Sequence, residues 1–148
     1  MNNGDSYDGR GVSLESFMTA LREAMAALGG RTLIVASHEL SHVGAVYGDK
    51  DPYAAQTDAG NAARQKLIQQ DQSLVTMLAK GQTEELVTSL SWQQNPTRWN
   101  STGVLIAAMR AAGYAGQPGE SEFKVHNFAG IVDQNGNALI TSLAAAIL

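Results

Sequence analysis

The sequence predicts a single α/β domain, and three observations carry that expectation. Leu14, Phe17, Leu21, Ala24, Met25 and Leu28 recur at helical spacing and lead into residues 32–36, Thr-Leu-Ile-Val-Ala, a short apolar run without polar alternation. A helix feeding a strand covered on both faces is an α/β signature. A second helical period follows from about Asp58, and the C-terminal residues alternate about Asn135-Gly136, a pair suited to the positive φ angles of tight hairpin turns. With 148 residues, 44% hydrophobic and 16% charged, the chain suffices for one core but is short for two domains. Residues 1–12 read as a polar lead-in and 13–148 as one domain.

The elements are justified in order. Ser13 can cap the first helix, and Gly29-Gly30 ends it. Residues 37–57 hold Gly44, Gly48, Asp49, Asp51 and Pro52, turn formers in a connection long enough to suggest a functional loop. In the helix expected over 58–80, Leu67, Leu74, Val75 and Leu78 share one face and Gly81 is the stop. Thr83, Glu84 and Glu85 mark a new N-terminus, with Leu86, Val87 and Leu90 as its apolar face. Asn95-Pro96 breaks the pattern. A further helix starts near Asn100 or Ser101 and presents Val104, Leu105, Ala108, Met109 and Ala112. Phe123, Val125, Ile131 and Val132 then lead into the hairpin, whose return strand covers about 138–143.

Composition excludes several classes. The net charge is −4 and the ten Lys and Arg residues are scattered, so no electrostatic footprint for nucleic acid exists. Without cysteine there is no disulfide framework and no thiolate ligand. The apolar stretches 32–36 and 138–148 are too short or interrupted to span a bilayer, and residues 1–11 do not resemble a signal peptide. A cytoplasmic location is the default expectation.

The sharpest local motif is His38-Glu39-Leu40-Ser41-His42, the H-E-x-x-H pattern of zinc peptidases. That chemistry requires a helix, which aims both histidines at Zn²⁺ and leaves the glutamate to take a proton from bound water. Here the motif follows a strand-like run and precedes Gly44 and Gly48, which leaves little length for a helix. Asp49, Asp51 or Asp58 would have to supply a third ligand. The bland alternative is that these side chains only hydrogen-bond a loop at the end of a strand. Their expected position favours function, since ligands of open α/β sheets bind beyond the carboxyl ends of strands. Trp92 and Trp99 read as core or interface bulk, His126 as a sheet-face residue, and Arg98 as a neighbour of the His42 cleft.

The order of elements resembles the C-terminal half of the MEMO family, which shares its fold with class III extradiol ring-cleaving dioxygenases. Residues 37–44, Ser-His-Glu-Leu-Ser-His-Val-Gly, are similar to that family's strand-end signature. The long helix over 58–80, the acid-capped helix over 83–90, Gly103-Val104-Leu105-Ile106, His126-Asn127-Phe128-Ala129-Gly130 and the small residues 143–146 follow in the family's order. The resemblance implies a helix-flanked sheet ending in a β-hairpin. It implies that His42 corresponds to the acid/base histidine and Glu39 to the acid beside it, a suitable pairing because a carboxylate can hold one imidazole tautomer. His38 departs from the family's small residue. Thr97 falls near a metal position held there by cysteine or glutamate, and the other two ligands are histidines of an N-terminal half with no counterpart here.

Three functions are therefore expected in order. The first is a MEMO-like domain of binding character, carrying part of a metal or ligand cleft at His42, Glu39, Thr97 and Arg98. The second is a metal-dependent dioxygenase subunit completed by an N-terminal-half partner, and the third a zinc peptidase with His38 and His42 as ligands. A divalent metal, iron or zinc, is admitted but not required. Half of such a sheet leaves an unpaired edge, so a homodimer or higher oligomer is expected, or pairing with an N-terminal-half partner.

Overall fold

The computed structural model describes residues 11–100, 102–117, 121–133 and 135–148. In chain order these form α1 Leu14–Leu28, β1 Glu39–Val43, a 3-10 turn Ala45–Tyr47, α2 Asp58–Ala79, α3 Thr83–Trp92, α4 Thr102–Ala111, β2 Phe123–Val132 and β3 Leu139–Ile147. The α/β class holds. The sheet is antiparallel with order β1-β3-β2, so the return strand of the hairpin lies in the middle and β1 forms one edge. Most of the lead-in expected over 1–12, together with Ser101, residues 118–120 and Gln134, lies outside the described residues.

Helix positions follow local chemistry closely. The Ser13 hydroxyl accepts from the Ser16 N–H at 3.1 Å, and Gly29 ends α1 with φ 65°. Thr57 caps α2 by accepting from Gly60 N–H at 3.1 Å. Leu67, Asp71, Leu74, Val75 and Leu78 form the buried stripe of α2, and Leu86 and Leu90 form that of α3. Leu74, Val75, Leu78, Leu86 and Leu90 from these stripes join Leu40, Trp99, Met109 and Tyr114 in the main core. A smaller cluster of Val43, Leu67 and Leu139 lies toward the hairpin turn. The turn is organised by Asp133, whose carboxylate accepts from Asn137 N–H at 2.6 Å and Ala138 N–H at 2.7 Å while Gly136 takes φ 68°.

Three expectations are corrected. Residues 32–36 form no strand, because no neighbouring strand reaches them; the strand begins at Glu39, inside the stretch expected to be loop. The α1 stripe is only partly covered: Met18 is buried and Leu14, Leu21 and Met25 half-buried, but Phe17 and Leu28 are exposed, and the helix meets α4 through Arg110 to Glu15 at 3.2 Å and Arg22 to the Arg110 carbonyl at 3.2 Å. On α4 the buried residues are Ile106 and Met109, whereas Val104 faces solvent. Periodicity identifies an apolar face correctly but does not say whether the chain supplies a cover for it. No helix among the described residues is long and apolar enough to cross a membrane.

Candidate functional site

The site is built around a bulge in β1. Glu39 lies across from Ser142 and His42 from Ile140, so β1 spends one residue more than β3 over the same interval. In a regular strand, residues three apart point to opposite faces. The extra residue restores a common face, and the Glu39 carboxylate meets His42 Nε2 at 2.9 Å. Leu40 and Ser41, between them, are both fully buried, which a regular strand with one open face does not permit.

Asp71 of α2 locks the bulge from below. Its carboxylate is fully buried and accepts from Ser41 Oγ at 2.6 Å, Trp99 Nε1 at 2.8 Å and Thr141 Oγ1 at 2.5 Å. Thr141 Oγ1 in turn accepts from the Ser41 N–H at 2.9 Å. Thus α2, β1, β3 and the segment leading to α4 meet at one carboxylate. Three donors offset the desolvation that a buried charge otherwise suffers. Position 71 falls on the apolar stripe of α2, and a lone acid at helical spacing among leucines was the sequence signal that could have revealed this hub.

His42 is fixed at ring and backbone. Its N–H donates to the Thr97 carbonyl at 2.7 Å, and its Nδ1 lies 3.1 Å from the Arg98 carbonyl. A carbonyl only accepts, so Nδ1 carries a proton and Nε2 is the atom turned toward Glu39. One proton therefore lies between His42 Nε2 and Glu39 Oε2. Glu39 is half exposed, so a bound group can reach the pair and exchange that proton.

Arg98 holds the opposite wall. Its guanidinium donates to both Asp49 carboxylate oxygens at 3.0 Å, and to the carbonyls of His42 at 3.1 Å and Tyr47 at 3.0 Å. It also lies over the Tyr47 ring, 5.2 Å from the centroid. Burial works to raise the Asp49 pKa, but hydrogen bonds from Arg98 and from the Gly44 N–H outweigh it and hold the carboxyl below the usual range. Gly44 is required by close approach: at φ 128°, a Cβ there would sit 2.3 Å from the Asn137 carbonyl oxygen.

Between these walls lies a shallow cleft of about 380 Å³ lined by His42, Tyr47, Gln94, Asn95, Arg98, Trp99 and Asn100. Gln94, Asn95 and Arg98 all take positive φ, at 57°, 48° and 57°. Such strain persists only where the surroundings over-determine it. Here Asn95 grips Trp99 through N–H to Oδ1 at 2.8 Å and Nδ2 to carbonyl at 3.0 Å. A larger depression of about 500 Å³ runs along α3 beside the exposed Trp92, but its only ionisable groups are Glu84 and Glu85, which carry like charge.

The structure thus brings His42, Glu39 and Arg98 together and separates the others. Thr97 contributes its carbonyl, while its hydroxyl is buried without a hydrogen-bond partner and is absent from the cleft wall. His38 turns to the edge of Trp99, ring centroids 5.9 Å apart, and its buried Nε2 has no partner. Asp49, a candidate third ligand, is the acceptor of Arg98, and Arg98 has most of its donors engaged within the protein. The H-E-x-x-H motif runs along extended, bulged backbone rather than a helix, so His38 and His42 lack the one-turn convergence a shared zinc ion needs. Among the described residues no three His, Asp or Glu side chains group to hold a metal ion. Both His42 nitrogens already face acceptors, and these residues do not by themselves fit an iron or zinc centre. His126 lies exposed on β2.

No family model, curated protein or solved structure matches the chain. The class defined by fold and site is an α/β domain with an open polar cleft whose wall holds a histidine paired to a carboxylate.

Proposed function

We propose that the chain is a MEMO-like binding domain that carries part of a ligand cleft and has no turnover of its own. The observation that supports this reading most directly is the His42–Glu39 pair, 2.9 Å apart beside an open cleft and without a third metal-binding side chain grouped with it among the described residues. A pair held this way can lend its shared proton to the oxygen of a bound phenolate and take it back. The family resemblance suggests an aromatic diol as the hydroxyl-bearing ligand class. Chemistry beyond proton exchange would need ligands from a partner resembling the family's N-terminal half.

The test is a catechol titration followed by NMR of the imidazole resonances, with Fe(II) then added and ring cleavage followed by absorbance. The expected result is movement of the His42 signals while exposed His126 stays still, with no ring cleavage by the isolated chain. Unmoved His42 signals would sink the binding reading, and iron-dependent cleavage by the chain alone would overturn the partial-site reading. Metal analysis of chain purified without chelators adds a second check. Stoichiometric zinc lost on His38→Ala would restore the peptidase alternative.

A further inference from the structure

Residues 31–37 are the least satisfied stretch of the described chain. No hydrogen bond reaches their backbone or side chains. From Leu33 to Leu40 burial nevertheless alternates residue by residue: Ile34, Ala36 and His38 are half-buried toward the body and Leu40 fully so, while Leu33, Val35, Ser37 and Glu39 face out. Period-two burial describes a strand. The segment therefore continues β1 with a strand's alternation of faces but has no ladder, and Leu33 and Val35 stand 86% and 78% exposed. An unpaired, β-branched, uncharged run of this kind templates pairing with another strand.

We infer that two copies of this chain pair through residues 31–39 as an antiparallel ladder with its two-fold axis at Val35. The occupant follows from the charges. The outward row reads Arg31, Leu33, Val35, Ser37, Glu39, basic at one end and acidic at the other. Antiparallel pairing about Val35 sets each Arg31 opposite the other copy's Glu39, Val35 against Val35, and Leu33 diagonal to Val35. Parallel pairing would set Arg31 against Arg31 and Glu39 against Glu39, which is unfavourable for directly opposed residues. A two-fold axis uses the same patch on both copies and closes, so the edge is consumed rather than extended into a fibre. The ladder supplies the missing backbone partners and joins the bare apolar residues of both copies into one stripe.

This inference is independent of what the cleft binds, and failure of catechol to shift His42 leaves it untouched. The test is sedimentation equilibrium of the full chain at low salt, with amide exchange followed by NMR. Wild type is expected to dimerise, with alternate amides of 32–38 becoming protected as concentration rises. Arg31→Glu places like charges opposite each other twice per dimer and should raise the dissociation constant about tenfold. The double variant Arg31→Glu, Glu39→Arg should restore it. Val35→Lys puts two cations on the axis and should give a monomer with an unchanged far-UV spectrum, because Val35 is exposed in the single chain. A monomeric wild type, a Val35→Lys dimer as tight as wild type, or no recovery in the double variant would overturn the inference.

Discussion

Glu39 and His42 touch at 2.9 Å only because β1 carries one residue too many between them. The contact joins a half-exposed carboxylate to a ring that is 12% exposed, so it directs the ring more than it holds the fold. Glu39→Gln should change stability by less than about 0.5 kcal/mol while removing the proton that His42 Nε2 shares with the carboxylate and leaving the one on Nδ1. Urea denaturation and ¹⁵N shifts of the imidazole read the two effects separately. A stability loss of several kcal/mol would show the pair to be structural.

Asp71 stands at the opposite extreme. Asp71→Ala leaves the Ser41 and Thr141 hydroxyls and the Trp99 N–H without their acceptor in a dry interior and should cost about 3–5 kcal/mol. Asp71→Asn keeps one acceptor oxygen and the shape, so it should cost less. Denaturant midpoints decide the order; an alanine variant as stable as the asparagine variant contradicts the hub.

His38, Asp49 and Asp133 make stability fall on acidification. Desolvation holds the His38 pKa below the ordinary imidazole value, with Glu39 partly opposing and His42 adding to the effect. The folded state therefore prefers neutral His38. That contribution is complete above about pH 6.5 and is lost as pH falls toward the lowered folded value, because the unfolded chain takes the proton first. The Asp49 pKa is likewise lowered, so its contribution is present above about pH 4 and disappears as pH falls through the folded value. Urea midpoints should decline in two steps, with the upper step missing in His38→Gln and the lower one weakened in Asp49→Asn. Identical profiles in wild type and variants would refute the assignment.

Gly44→Ala tests the junction between the site and the hairpin. Its Cβ would meet the Asn137 carbonyl oxygen at 2.3 Å and the Ala138 Cα at 2.9 Å, both backbone atoms, at a φ that L residues avoid. A cost of about 2–4 kcal/mol is expected, measured by thermal unfolding, together with disturbed NMR signals at Asp49 and Arg98. A neutral substitution would mean that the turn shifts freely.

The strained cleft segment offers the opposite sign. Gln94 is exposed and takes φ 57°, so Gln94→Gly removes left-handed strain at the expense of a more flexible unfolded chain. The net gain should be roughly 0.5–1 kcal/mol, seen as a higher melting temperature. A loss would mean that the Gln94 side chain holds the loop.

The local elements were legible in the sequence because their causes are local. Ser13, Thr57 and Gly29 place helix ends through single hydrogen bonds or a single φ, and Asp133 with Gly136 turns the hairpin in the same way. His42 and Glu39 were singled out as a pair through the family resemblance, but their contact depends on a bulge that no local pattern specifies. Arg98 was placed near the cleft, while its commitment to Asp49 was not visible, since the two lie 49 positions apart.

The sequence by itself determined the helices and the hairpin, because propensity, capping and period act within a few residues; it offered His42 and Glu39 as candidates but not their contact. Tertiary structure alone decided that residues 32–36 lack a ladder, that the α1 stripe is covered only in part, and that Asp71 is the acceptor joining α2, β1 and β3. A strand is completed by its neighbour and a buried carboxylate by its donors, and both come from residues far away in the chain.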